Sequence, residues 1–213
     1  VIFIRSNKSP IRYLSIFAAT WLAINLPFVI TTPKGWWYFY KFNLQRGPDW
    51  GSIWTVAQNF GWNTGSTNYL SLIGTLAILA WVFVYLFSLR VIPKLAEVSF
   101  IVFTAALILS KVYSPQYVLW LTALAVIALK SQETLIVFWV WQISELLYHV
   151  AIWQHLALIS SAHFGLSQSF YSAITLIRLA ASIAMIASLA NQLTRARFTQ
   201  ENQQDFPFDA ATR

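Results

Sequence analysis

The chain has 213 residues, of which 58% are hydrophobic and only 10% are charged, and its mean hydropathy is +0.59. A soluble domain carries about 25% charged residues, so the composition excludes that class and predicts an integral membrane protein. In such a chain the net charge of +7 indicates topology and contact with anionic lipids, and no nucleic-acid partner is expected. There is no cysteine, which excludes disulfides and thiolate chemistry.

Apolar runs predict six membrane spans in an all-α fold. They cover residues 11–31, 69–89, 95–110, 115–129, 134–153 and 169–190. The chain begins at Val1, and its first five residues resemble the end of an earlier membrane helix. We therefore expect one membrane domain, 1–213, that forms the C-terminal part of a longer protein and ends in a polar tail at 191–213.

The basic residues predict the orientation of these spans. Six spans place both termini on one side, where nine of the 14 lysines and arginines lie; four lie on the other side. The positive-inside rule makes the termini and the tail cytoplasmic and the loops 32–68 and 154–168 external. The predicted location is the cell membrane, with multiple spans and membrane lipids as partners.

The first external loop is dense in aromatic residues, which predicts short interfacial helices interrupted at Gly47-Pro48. Arg46 offers a planar guanidinium suited to phosphate oxygens. Asp49 is the one carboxylate of the two external loops and so the loop candidate for a general base. The alternative is that Asp49 caps a helix and Arg46 anchors to lipid headgroups.

Segment 110–120 is polar although it separates two short apolar runs. Ser114-Pro115 predicts a helix start, with the serine as N-cap and the proline at the first helical position. That helix can reach only Lys130, about 24 Å, whereas the bilayer core is about 30 Å thick. If Lys94 and Lys130 share one surface, the turn leaves a recess in which Lys111 and the amides at 114–117 could bind a phosphate. Alternatively, Lys111 extends to the headgroups and Ser-Pro only starts a helix.

The pattern Lys111-x-x-Ser114-Pro115-Gln116-Tyr117-x-x-Trp120 resembles the signature of glycosyltransferase family 87. These are polytopic mannosyltransferases of actinobacterial type with the GT-C architecture. The resemblance implies transfer of a hexose, such as mannose, from a polyprenyl-phosphate donor to a lipid or glycan acceptor on the external face. No tightly bound cofactor is expected, and a divalent metal stays an open alternative.

Under this interpretation the donor phosphate contacts Arg46 and the motif residues Lys111, Ser114, Gln116 and Tyr117. The segment Asp49-Trp50-Gly51-Ser52-x-Trp54 also resembles a segment of the family. Trp50, Ser52, Trp54 and Trp120 are then expected to contact sugar or lipid. GT-C enzymes generally place their catalytic carboxylate in the first external loop of the whole protein, which counts against Asp49 as the base.

Glu145 and Arg178 lie deep inside the fifth and sixth predicted spans. Their similar depths, about 12 and 13.5 Å from the external ends, predict a buried ion pair that is either structural or part of a site. His149 follows Glu145 by one helical turn and shares its face with Trp141 and Trp153. Glu145 and His149 are therefore further catalytic candidates, with the histidine as general base or orienting group.

His155 and His163 are predicted to lie in the loop after the fifth span. A zinc site built from Glu145, His149 and these two histidines is conceivable, but its spacing matches no compact ligand motif. We therefore predict no metal site.

Two other functions fit the same residues. A transporter or flippase of lipid-linked sugars would share the recess and the ion pair without needing a proton acceptor. A non-catalytic subunit of GT-C-like fold is the third interpretation.

Overall fold

The computed structural model describes residues 9–62, 65–89 and 91–205, with side chains as far as Arg195. All regular structure in these ranges is helical. In chain order the helices are α1 Pro10–Thr31, α2 Pro33–Gln45, α3 Ile53–Asn59, α4 Thr67–Ser88, α5 Leu95–Leu109, α6 Tyr117–Ala128, α7 Gln132–Ile159 and α8 Gln168–Asp205. The chain divides into two compact units at Gly47-Pro48.

Among the helices that the structure describes, four are long and apolar enough to cross a membrane: α1, α4, α7 and α8. The prediction of a helical membrane protein is confirmed at this level. The two helices around the polar turn are short, as predicted: α5 has 15 residues and α6 has 12. At 1.5 Å per residue they are about 22 and 18 Å long.

A buried carboxylate links the two ends of the α5–α6 hairpin that lie opposite its turn. Glu97, in the first turn of α5, is fully buried and forms an ion pair with Lys130, just beyond α6. Its second oxygen accepts a hydrogen bond from the backbone N–H of Lys94 at 2.7 Å. The start of α5 therefore lies beside the end of α6, as the positions of Lys94 and Lys130 predict.

The predicted start of α6 is two residues too early. The α-helix begins at Tyr117, and Ser114 does not cap it. The first three helical N–H groups instead bond to carbonyls three residues earlier, Tyr117 to Ser114, Val118 to Pro115 and Leu119 to Gln116, at 3.1–3.2 Å. This tight, 3₁₀-type turn uses the N–H groups that a capping hydroxyl would otherwise satisfy.

The last two predicted spans are longer in the structure. α7 continues past Trp153 to Ile159, so His155 lies on this helix and its prediction as a loop residue is wrong. The polar Gln154-His155 pair suggested a loop, but Ile152, His155 and Leu156 continue the packed face of the helix. α8 likewise continues to Asp205 instead of ending at residue 190.

Within the second unit, α7 packs along α8, and α5 contacts α4, α6 and α8. The short α3 also packs on α8. Within the first unit, α1 contacts α2, and Trp36 donates its indole N–H to the side chain of Asn25 at 3.0 Å. Gly47-Pro48 separates α2 from α3, in agreement with the predicted interruption.

Candidate functional site

A cavity of ≈ 630 Å³ lies between α6, α7 and the segment before α3. Its polar lining is Asp49, Ser114, Gln116, Gln142, Glu145 and His149; the rest of its wall is mainly hydrophobic. Three wall residues are largely exposed: Leu119 (70%), Leu146 (65%) and Trp153 (65%). Because these apolar side chains lie on helices of a membrane protein, the cavity suits a ligand with a polar head and a lipid tail.

Asp49 reaches the cavity from a tight turn that docks on the α5–α6 hairpin. Its backbone N–H donates to the carbonyl of Lys111 at 2.7 Å, and its own carbonyl accepts from the Thr55 hydroxyl at 2.6 Å. Ser52, not Asp49, is the N-cap of α3, so the predicted alternative of an Asp49 cap is wrong. The Asp49 carboxylate accepts a hydrogen bond from the backbone N–H of Trp50 at 3.0 Å and lines the cavity.

His149 lies one turn beyond Glu145 on α7 and is exposed on the cavity wall. The predicted helix face, formed by Trp141, Glu145, His149 and Trp153, runs from the buried interior to this wall. Trp141 and Glu145 are buried, whereas His149 and Trp153 are exposed.

The predicted ion pair between Glu145 and Arg178 is confirmed, with 2.8 Å between Nε and Oε2. The other carboxylate oxygen accepts from the Tyr113 hydroxyl and the Trp141 indole, both at 3.2 Å. Three donors on one buried carboxylate favour a structural role over proton transfer. Glu145 lies 14 residues, about 21 Å, from the end of α7, which continues past the predicted end of the span at residue 153.

The Arg178 guanidinium lies between two tyrosine rings, with 3.7 Å from Cζ to the centre of the Tyr113 ring and 4.2 Å to that of Tyr148. Such cation–π contacts stabilise a desolvated arginine. Nη1 also donates to the carbonyl of Tyr113 at 3.0 Å. The arginine thereby fixes the hairpin turn, α7 and α8 relative to one another, directly behind the Glu145 wall of the cavity.

Comparison with protein-family models, with curated proteins and with solved structures finds no match. The resemblance to glycosyltransferase family 87 therefore rests on the residues of the two segments that carry it.

Lys111 does not line the cavity. Its ammonium donates to the side chain of Asn68 at 2.5 Å, and its backbone N–H donates to the Ser71 hydroxyl at 3.0 Å, so it lies against the first turns of α4.

Of the other residues predicted to bind the phosphate, Ser114 and Gln116 line the cavity. Tyr117 is absent from its wall and packs against Trp120. Arg46 belongs to the first unit, where its guanidinium lies over the Phe42 ring at 5.8 Å.

The residues predicted to contact sugar or lipid lie outside the cavity lining. Trp54 donates its indole N–H to the carbonyl of Leu109 at 2.9 Å and so caps the end of α5. Ser52 is fully buried. The carbonyl of Trp50 accepts from the Tyr171 hydroxyl at 2.6 Å, and Trp120 is 67% exposed on α6.

The histidines form no metal site in the part of the chain that the structure describes. His155 is buried, stacks on Tyr171 with ring centroids 4.6 Å apart, and its Nδ1 lies 3.0 Å from the carbonyl of Leu166. His163 is exposed in the loop between α7 and α8. No group of three His, Asp or Glu side chains among the described residues could hold a metal ion.

Sequence reasoning missed Gln142, Tyr113 and Tyr148. Gln142 lines the cavity, and its amide donates to the Thr122 hydroxyl at 2.9 Å. The signal was present, since Gln142, Glu145 and His149 have the spacing i, i+3, i+7 of one helix face. The two tyrosines gave no signal, because an aromatic residue in a membrane helix is usually packing or an interfacial anchor.

Proposed function

We propose that the protein is a membrane glycosyltransferase that transfers a hexose from a polyprenyl-phosphate donor to a hydroxyl group of an acceptor. The observation that carries the proposal is the cavity itself. Its wall is mainly apolar, and its polar lining contains a carboxylate, Asp49, and an imidazole, His149. Such a cavity admits the polar head of a lipid-borne substrate and offers a proton acceptor to it.

At the anomeric carbon the reaction forms one bond and breaks one. The acceptor oxygen attacks the anomeric carbon, the bond from that carbon to the phosphate oxygen breaks, and the polyprenyl phosphate leaves with the bonding electrons. The proton of the acceptor hydroxyl passes to Asp49 or His149 and then to water. Glu145 does not take part, because Arg178, Tyr113 and Trp141 already donate to it; it shapes the cavity wall.

The donor phosphate becomes doubly negative as it leaves and needs positive partners. The sequence-derived candidate in the unit that contains the cavity is Lys111, on the α4 side of the hairpin turn. The proposed topology is multi-pass, with the α5–α6 hairpin completing six spans and both ends cytoplasmic. Its support is the distribution of lysines and arginines.

The test is an assay of the full chain in lipid nanodiscs with labelled polyprenyl-phosphate-mannose and a membrane lipid extract. Asp49→Asn and His149→Gln are compared with the wild type. Loss of the general base is expected to lower the rate about 10²–10⁴-fold, and the second residue should have a smaller effect. Glu133→Gln is the matched control. Glu133 is an exposed carboxylate in the first turn of α7, outside the cavity lining, and it pairs with Arg195 of α8.

If labelled sugar never leaves the carrier with any extract, the transferase proposal is wrong. Movement of the intact carrier across a vesicle membrane would then be measured, because it is what a flippase produces.

A further inference from the structure

The described residues that line the cavity supply acidic and neutral polar groups. Asp49 and Glu145 supply carboxylates, and Ser114, Gln116, Gln142 and His149 supply neutral donors and acceptors. None of the described residues that line it is a lysine or an arginine. The nearest buried cation, Arg178, is fully buried and bonded to Glu145 behind the wall.

The start of α6 does not supply the missing positive charge. The N–H groups of Tyr117, Val118 and Leu119 already donate within the 3₁₀-type turn, and Pro115 has no N–H. A helix N-terminus binds an anion only through donors that are still unsatisfied. A phosphate in this cavity would therefore face two carboxylates and, among the described lining residues, no lysine or arginine.

The same lining is suited to hydroxyl groups. Amide, hydroxyl and carboxylate side chains can each hydrogen-bond to a neutral polyol, and the exposed Trp153 presents a flat apolar face to a sugar ring. The amide of Gln142 is oriented by its bond to Thr122. Leu119 and Leu146, which are largely exposed, give the cavity wall an accessible apolar surface.

We propose that this cavity is the acceptor subsite and that it binds a lipid with an uncharged, hydroxyl-bearing head, while the donor phosphate binds outside it. The proposal rests on the transferase function proposed above, because it assigns one of the two substrates of that reaction. The acceptor hydroxyl then lies beside Asp49 and His149, where the proton must be taken. The acceptor tail stays in the bilayer.

Photolabelling in the absence of any donor tests the assignment without turnover. The full chain in phosphatidylcholine nanodiscs is irradiated with a diazirine-tailed monohexosyl diacylglycerol, and labelled peptides are identified by mass spectrometry. Labelling is expected on α6 and α7 around residues 118 and 146–156. Unlabelled hexosyl diacylglycerol should compete, and polyprenyl phosphate should compete at least tenfold less well.

Variants of the lining give the second measurement. Gln142→Leu and Trp153→Leu should each lower labelling about fivefold or more at an unchanged unfolding temperature. Trp139→Leu is the matched control, since Trp139 is an exposed tryptophan of the same helix outside the cavity and its loss should change nothing.

The outcomes separate the two proposals. Labelling that depends on Gln142 and Trp153, without transfer of sugar in the assay, retains the neutral-lipid subsite and rejects the transferase. Labelling that polyprenyl phosphate displaces as well as the glycolipid, or that Trp139→Leu lowers as much as Trp153→Leu, overturns the acceptor assignment even if transfer is observed.

Discussion

Arg178 and Glu145 show how a single buried pair organises this molecule. Both side chains are buried, so replacing one of them leaves the other as an uncompensated charge, at a cost of about 3–5 kcal/mol. Arg178→Met and Glu145→Gln should each lower the unfolding temperature by roughly 6–12 °C or more. The double variant removes both charges, and methionine can still contact the tyrosine rings, so much of the loss should be recovered.

Thermal unfolding of the four proteins in one detergent measures this double-mutant cycle. A double variant whose loss equals the sum of the single losses within about 0.5 kcal/mol would show that the pair is not a coupled unit. A stable but inactive Glu145→Gln variant would instead make Glu145 a catalytic residue.

Gly51 is the other residue on which the interior depends. A Cβ atom added there would lie 2.3 Å from the carbonyl oxygen of Tyr113 and 2.7 Å from Nη1 of Arg178. Gly51→Ala should therefore displace the turn that carries Asp49, and we expect a loss of about 1–3 kcal/mol of stability and a lower rate of the proposed sugar transfer. Gly47→Ala is the matched control, because a Cβ atom there meets no atom within 4 Å; equal melting temperatures for the two variants would contradict this packing.

At the scale of the elements, the sequence predicts those helix ends that are set by the length of an apolar run or by a charged residue. The bounds of α1, α4, α5 and α6 agree with prediction to within two residues, because each helix ends at a charge, a proline or a polar turn. Lys94 and Lys130 likewise predicted the closed hairpin. The ends of α7 and α8 were not predicted, because past residue 153 and past residue 190 the helices carry polar residues, and only tertiary packing decides whether such residues continue a helix.

The cavity lining could be predicted from the sequence only where its residues lie on one helix. Spacing along one helix placed Glu145 and His149 on a common face, and the structure agrees. No spacing rule could show that Lys111 turns toward Asn68 on α4, since the two residues are 43 positions apart. Nor could it show that the first N–H groups of α6 are already bonded. The residues predicted to bind the donor phosphate are therefore divided in the structure, because Ser114 and Gln116 line the cavity and Lys111 lies against α4.

At the scale of the whole molecule, the lengths of the helices predict which loops share a side of the membrane. α7 has 28 residues, about 42 Å, so its two ends should lie on opposite sides of a bilayer core of about 30 Å. The ion pair between Glu97 and Lys130 holds the start of α5 beside the start of α7. The residues before α5 and those at the start of α7 should therefore be reached from one side, and the α7–α8 loop from the other.

Single-cysteine variants test this arrangement cleanly, because the chain has no cysteine of its own. Lys94→Cys, Gln132→Cys and His163→Cys, at three exposed positions, are labelled with a membrane-impermeant maleimide in sealed vesicles of one orientation. Lys94→Cys and Gln132→Cys should react together, and His163→Cys should react only when the other side is presented. If His163→Cys reacted with the same sidedness as Gln132→Cys, α7 would not cross the membrane. The apolar wall of the cavity would then have no bilayer to face.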